Sequence, residues 1–231
     1  SSALQEYREG KTEVLTILSH IIKILSIDPI MTIFLDMDMK RARDIEDNVN
    51  SIIIPSIKEF LFELQLRIMS ANKLDDIQNY LAEIVNSLKH CHDVVLSARI
   101  LQESLENLKS RFCNTITWLK SKRGLALEKL YGIKRPASLK EIEEHALEAQ
   151  DVHSALNVIM PRLTDIVNLV NSACKKLKVN SMVFAYVMSS KIQDQVSPTM
   201  LSERLKLSID ETKRDLEKLV NYKLLDVIYV V

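Results

Sequence analysis

The sequence predicts an almost all-α protein: an elongated helical bundle around one long heptad-patterned helix, followed by a small C-terminal domain with a terminal β-strand. Three observations predict it. Only 3 glycines and 5 prolines punctuate 231 residues, too few for the turns of a β-sandwich. Leu74 to Tyr131 has no proline, and no glycine before Gly124. Residues 179–231 change character, with short capped segments and a β-branched end.

The long stretch sets the frame. Leu74, Ile77, Leu81, Ile84, Leu88, Cys91, Val95 and Ala98 are spaced alternately three and four. The phase slips and resumes at Leu101, Leu105, Leu108, Phe112, Thr115 and Leu119. This is a heptad seam, which keeps one stripe of a helix facing a partner helix. About 50 such residues make a rod of roughly 75 Å, against about 45 Å for a compact chain of this length. An elongated molecule is therefore expected, kinked near Ala98 to Leu101.

The helices before it follow from apolar spacing and proline. Ala3 to Ile27 places Val14, Leu15, Leu18, Ile21, Ile22 and Leu25 on one broad face. Asp28-Pro29 then opens a helix to about Asn50. Pro55 breaks the chain after Ile54. Ser56 to Ala71 follows, with Ile57, Phe60, Leu61, Leu64 and Ile68 on one side. After the long helix, Gly132 reads as a C-cap with Pro136 beyond it. Ser138 and Glu141 form a capping box opening a helix to about Met160. Pro161 kinks it or starts another, Arg162 to Lys178, with Leu163, Ile166, Val167, Val170 and Leu177 inside. The expected domain division is 1–178 and 179–231.

In the second part, Ser181 to Gln195 reads as a helix, Ser197-Pro198 caps a short one, and Ser208 with Glu211 caps a third. Val227 to Val231 is a strand by propensity. That order is winged-helix-like, an elaborated helix-turn-helix. The segments Pro198 to Leu205, Ser208 to Tyr222 and Leu224-Leu225 resemble those of PCI-type subunits of the proteasome lid, signalosome and translation-initiation scaffolds. ESCRT-II and cullin-like subunits are similar. The resemblance implies a winged helix that docks protein subunits.

Composition narrows the function. Apolar residues at 47% and charged residues at 27% describe a globular chain. Lys+Arg and Asp+Glu are both 31, which argues against a general nucleic-acid coat or membrane-surface binder. Cys91, Cys113 and Cys174 are an odd number on predicted helices and read as reduced core residues of a cytosolic or nuclear protein. No apolar run spans a bilayer, and no signal-peptide pattern opens the chain.

No catalytic chemistry emerges. In His90-Cys91-His92 adjacent helical residues point about 100° apart and cannot converge on one ion. Glu141, His145 and Glu148 share a face but lack a completing motif elsewhere. Asp36, Asp38, Asp75 and Asp76 read as caps and surface. Phosphate loops and nucleophile elbows are missing from the sequence. A non-enzyme without metal or cofactor is expected.

Two stretches are candidate partner-binding sites. Lys120, Lys122, Arg123, Lys129, Lys134 and Arg135 crowd within sixteen residues against Glu128 alone. They complement a helix C-terminus or meet an acidic partner or a phosphate backbone. Val227, Ile228, Tyr229 and Val230 offer a strand edge. The expected partners are other protein subunits, in a hetero-complex or a homodimer. The second expectation is a nucleic-acid-binding winged helix. Against it, Ile209 to Tyr222 sets Lys213, Arg214 and Lys218 against Asp210, Glu211, Asp215 and Glu217, a poor surface for a polyanion.

Overall fold

The computed structural model describes residues 2–52, 57–70 and 73–228. Every regular element among them is a helix, so the class is all-α. The order is α1 (Ser2–Leu25), α2 (Met31–Leu35), α3 (Met39–Asn50), α4 (Ile57–Ser70), α5 (Leu74–Lys120), α6 (Lys122–Tyr131), α7 (Leu139–Glu148), α8 (Val152–Leu177), α9 (Ser181–Ser189), α10 (Pro198–Leu205) and α11 (Ile209–Asn221). No helix of the described residues is long and apolar enough to cross a membrane. Two compact units result: Ser1–Ser26 with Met37–Ser104, and Ile27–Asp36 with Leu105–Val231. Helix α5 contributes to both. Residues 179–231, expected as a separate domain, begin at the turn from α8 to α9.

In the first unit α1 packs on α3. Its buried face is Val14, Ile17, Leu18, Ile21 and Ile24; Ile22, expected inside, is half-buried. Helix α1 also passes α5: a Cβ on Gly10 would lie at ordinary contact distance, 3.4 Å, from Val94 Cγ1. Val94 therefore turns toward α1. Val94 is buried and Val95, the expected seam residue, is 56% exposed. With Val94 in place, Cys91, Val94, Ala98, Leu101, Leu105, Leu108, Phe112, Thr115 and Leu119 repeat at three and four throughout. The phase slip expected between Ala98 and Leu101 moves back to Leu88, Cys91 and Val94, where two steps of three follow each other, and the helix is hydrogen-bonded without a break across Ala98 to Leu101.

In the second unit the buried residues of α5 include Leu105, Leu108, Phe112, Trp118 and Leu119. Trp118 meets Phe184 of α9 edge to face, at 5.8 Å between ring centres. Asn107 Nδ2 donates to the Phe34 carbonyl at 3.1 Å, tying α5 to α2. Helix α8 buries Leu163, Ile166, Val167, Val170 and Leu177 as expected, and carries α7 and α9. Helices α10 and α11 pack on each other and on α9.

Several boundaries differ from expectation for local reasons. The single helix from Pro29 to Asn50 is two helices. Asp36 ends α2 in the left-handed conformation (φ 52°), and the Asp38 carboxylate accepts from Arg41 N at 2.7 Å to cap α3. Ser138 makes no capping bond, because it is left-handed (φ 59°) rather than extended as a capping residue is. The helix it precedes ends at Glu148, not Met160. Asp151 caps α8 by accepting from Ser154 N at 2.7 Å. Pro161 then lies inside α8 on its exposed side, where water can take the carbonyl it leaves unpaired. Helix α9 stops at Ser189, short of Gln195. The expected break at Pro55 lies outside the described residues.

No strand appears among the described residues. Val227 and Ile228 are irregular and exposed; Tyr229, Val230 and Val231 lie outside the described residues.

Candidate functional site

The basic cluster grows out of a helix corner. Helix α5 ends at Lys120, and the Ser121 side chain caps α6 by accepting from Arg123 N. Gly124 makes the corner possible: a Cβ there would sit 1.8 Å from the Leu119 carbonyl oxygen. Gly132 closes α6 as expected, left-handed at φ 67°. Its N–H donates to the Glu128 carbonyl at 3.0 Å, and that of Ile133 to the Leu127 carbonyl at 3.3 Å, a Schellman ending.

This geometry divides the cluster. Lys120 is paired with Glu143 of α7, which also accepts from Thr117 Oγ1 at 2.6 Å. Arg123 pairs with Asp226 at 2.6 Å. Arg135 bonds Glu128 at 2.9 Å and donates through Nη1 to the Leu119 carbonyl at 2.9 Å, a terminal carbonyl of α5. The Glu128 carboxyl is held below its ordinary range by the Arg135 hydrogen bonds. Three of the six cations singled out in the sequence therefore tie α5, α6, α7 and the C-terminal segment together. Lys122, Lys129 and Lys134 remain exposed.

A second surface lies in the first unit. Leu74 (70%), Ile77 (47%) and Val85 (61%) of α5 are exposed, as are Phe62 (64%), Leu66 (51%) and Met69 (76%) of α4. The N-terminal part of the seam, expected as internal packing, is open wherever its side chains are described. Those of Leu81, Ile84 and Leu88 lie outside the described set. Phe62, Leu66 and Met69 went unread in the sequence. The available signal was their spacing of four and three, beside the face carrying Ile57, Phe60, Leu61, Leu64 and Ile68. A helix apolar on two sides has more apolar surface than one neighbour covers. Arg67 links the two helices, with a guanidinium nitrogen on Glu83 and its plane near the Tyr80 ring.

The C-terminal segment borders a groove of about 440 Å³, lined by Val196, Pro198, Leu216, Val220, Val227 and Ile228 among others. Ser197 and Ser208 cap α10 and α11 as expected, accepting from Met200 N at 3.1 Å and Glu211 N at 3.2 Å. Asp215 does not contribute surface charge. It is buried and accepts from Asn180 N at 2.9 Å. The exposed face of α11 therefore carries three cations and three anions, not three and four.

His90 and His92 are exposed and Cys91 is half-buried, so Cys91 is less enclosed than expected of a core residue. Glu141, His145 and Glu148 face outward on α7. Among the described residues no group of His, Cys, Asp or Glu is arranged to hold a metal ion. Burial pushes the Cys113 thiol up. Burial, with Asp215 adding to it, pushes the Cys174 thiol up to about 12. Thiols held protonated in this way are poor nucleophiles.

Comparison of the chain with protein-family models, curated proteins and solved structures finds no match.

Proposed function

We propose that the protein is a non-catalytic adaptor subunit that holds partner proteins in a larger assembly through the apolar surface of α4 and the first half of α5. One observation carries this: Phe62, Leu66 and Met69 on α4, and Leu74, Ile77 and Val85 on α5, stand exposed at helical spacing. Large apolar patches of this kind mark interaction surfaces. The three-and-four spacing from Leu74 onward suits knobs-into-holes packing, so the occupant is an amphipathic helix of another protein.

The proposal extends to α9, α10, α11 and the segment after them as a winged-helix-like docking module. Its support is the order of capped helices and the exposed Val227 and Ile228 beside Val196. In this proposal the last strand forms when a partner's sheet edge pairs with it. A nucleic-acid role for α11 has less support, since balanced exposed charges release few counterions from a phosphate backbone.

The test is affinity capture with wild-type protein and a Leu66→Ser, Met69→Ser, Ile77→Ser variant. Exposed positions contribute little to stability, so the variant keeps its circular-dichroism melt. It loses polypeptides that co-purify with the wild type. Capture of the same polypeptides in the same amounts by a folded variant contradicts the proposal.

A further inference from the structure

The second unit gathers a set of lysines that no single stretch of sequence displays. The ends of α6, α8 and α11 meet through two tyrosines. Tyr131 Oη donates to the Tyr222 carbonyl at 2.9 Å, and Tyr222 Oη to the Leu177 carbonyl at 3.4 Å. Their rings pack edge to face at 5.5 Å. Around this relay stand Lys134, Lys176, Lys178, Lys218 and Lys223. Lys176 Nζ comes within 3.5 Å of where a Cβ would lie on Gly132. Lys178 and Lys223 follow Leu177 and Tyr222 directly. Lys218 Nζ donates to the Lys178 carbonyl at 2.8 Å.

Helix capping does not account for this set. Each C-terminus carries about −0.5 charge, so three of them call for far less than five cations. The Leu177, Tyr222 and Lys178 carbonyls already have partners in two phenols and one lysine. Lys178 and Lys223 also occupy left-handed positions (φ 55° and 62°), where glycine or asparagine is the less strained choice. The nearby acids do not balance them. Glu128 serves Arg135, Asp226 serves Arg123 and Asp215 is buried. Glu217, exposed on α11 beside Lys218, is one acid against five lysines. Like charges held together oppose folding unless something of opposite sign meets them.

We propose that this lysine-rich surface, where α6, α8 and α11 end, docks an acidic segment of a partner protein. Carboxylates fit better than a nucleic-acid backbone. Both tyrosine rings are engaged with each other, leaving neither for a base to stack on. This surface is independent of the apolar one on α4 and α5.

The test is fluorescence anisotropy of the full chain with three probes: a short peptide of alternating glutamate and glycine, its glutamine counterpart, and a single-stranded oligothymidylate. The glutamate peptide binds, and added salt weakens it. The glutamine peptide does not bind. Lys176→Glu, Lys178→Glu and Lys223→Glu together weaken the glutamate peptide by about tenfold or more, and the same positions changed to Gln weaken it less. Lys140→Glu on α7 leaves it unchanged. Because these side chains are exposed, the melt is retained; if the Glu variant fails to fold, the Gln variant decides. Failure of the glutamate peptide to bind, equal binding by the Gln variant, or tighter binding of the oligothymidylate overturns the proposal.

Discussion

Replacing Gly124 with alanine adds one methyl group, and the structure predicts a large penalty for it. In an ordinary helix interior this substitution stabilises by about 0.5–1 kcal/mol, because alanine has less backbone entropy to lose. At Gly124 the new Cβ would lie 1.8 Å from the Leu119 oxygen, 2.4 Å from its carbonyl carbon and 2.6 Å from its Cα. All three are backbone atoms, and real Cβ atoms do not approach closer than about 3.0 Å. The corner between α5 and α6 must therefore open by more than ~1 Å. Leu119 cannot retreat freely, since its side chain is fully buried and its carbonyl accepts from Arg135 Nη1. Overpacking of this kind costs about 1–3 kcal/mol, and more when backbone must move; we expect about 3 kcal/mol or above. The assay is a urea titration followed by far-ultraviolet circular dichroism. Gly10→Ala is the control: its Cβ would meet only the tip of the Val94 side chain, at 3.4 Å. It should leave the midpoint unchanged or raise it. A Gly124→Ala midpoint at or above wild type would refute the tight corner and the placement of α6 that follows from it.

Two further predictions rest on burial. Leu108→Ala, at a fully buried seam position, should cost about 2–5 kcal/mol in the same titration. Val95→Ala, on the exposed side of the same helix, should change it by less than about 0.5 kcal/mol. The Cys174 thiol gives a pH signature. Its folded value is raised to about 12 by burial, so its contribution is complete below the unfolded thiol value of about 8.5. Above that value the unfolded chain ionises while the folded one does not. The contribution is therefore lost as pH rises toward 12. Between these limits the wild-type midpoint should fall more steeply with pH than that of Cys174→Ala; parallel curves would contradict the burial of this group.

Much of the helical layout was legible because it is written in neighbouring residues. The serines at 197 and 208, Gly132 and the buried face of α8 each depend on local spacing, and each appears as read. The seam was legible as a stripe but not as core or surface, because periodicity is the same for a stripe covered within the chain and one covered by a partner. Whether Val94 or Val95 turns inward depends on where α1 packs, more than eighty residues earlier. The break at Asp36 to Asp38 was masked by Met37, which continues an apolar run and is itself buried. The candidate sites were the least legible. The run from Lys120 to Arg135 looks uniformly cationic in sequence, yet Glu143 and Asp226 reach it from elsewhere in the chain and pair with Lys120 and Arg123. Lys134, Lys176 and Lys223 are scattered in sequence and come together only through the contacts of Tyr131, Gly132 and Tyr222.

The proposal that α4 and the first half of α5 are covered by a partner protein is tested most directly by site-specific photo-cross-linking in cells. A photoreactive amino acid is placed singly at Leu66, Met69, Ile77 and Val85, and at Lys140 on the exposed polar side of α7 as a reference. The account predicts discrete adducts of defined mass at the four apolar positions and none at Lys140. No adduct at any of the four, or the same diffuse pattern at all five, would contradict it.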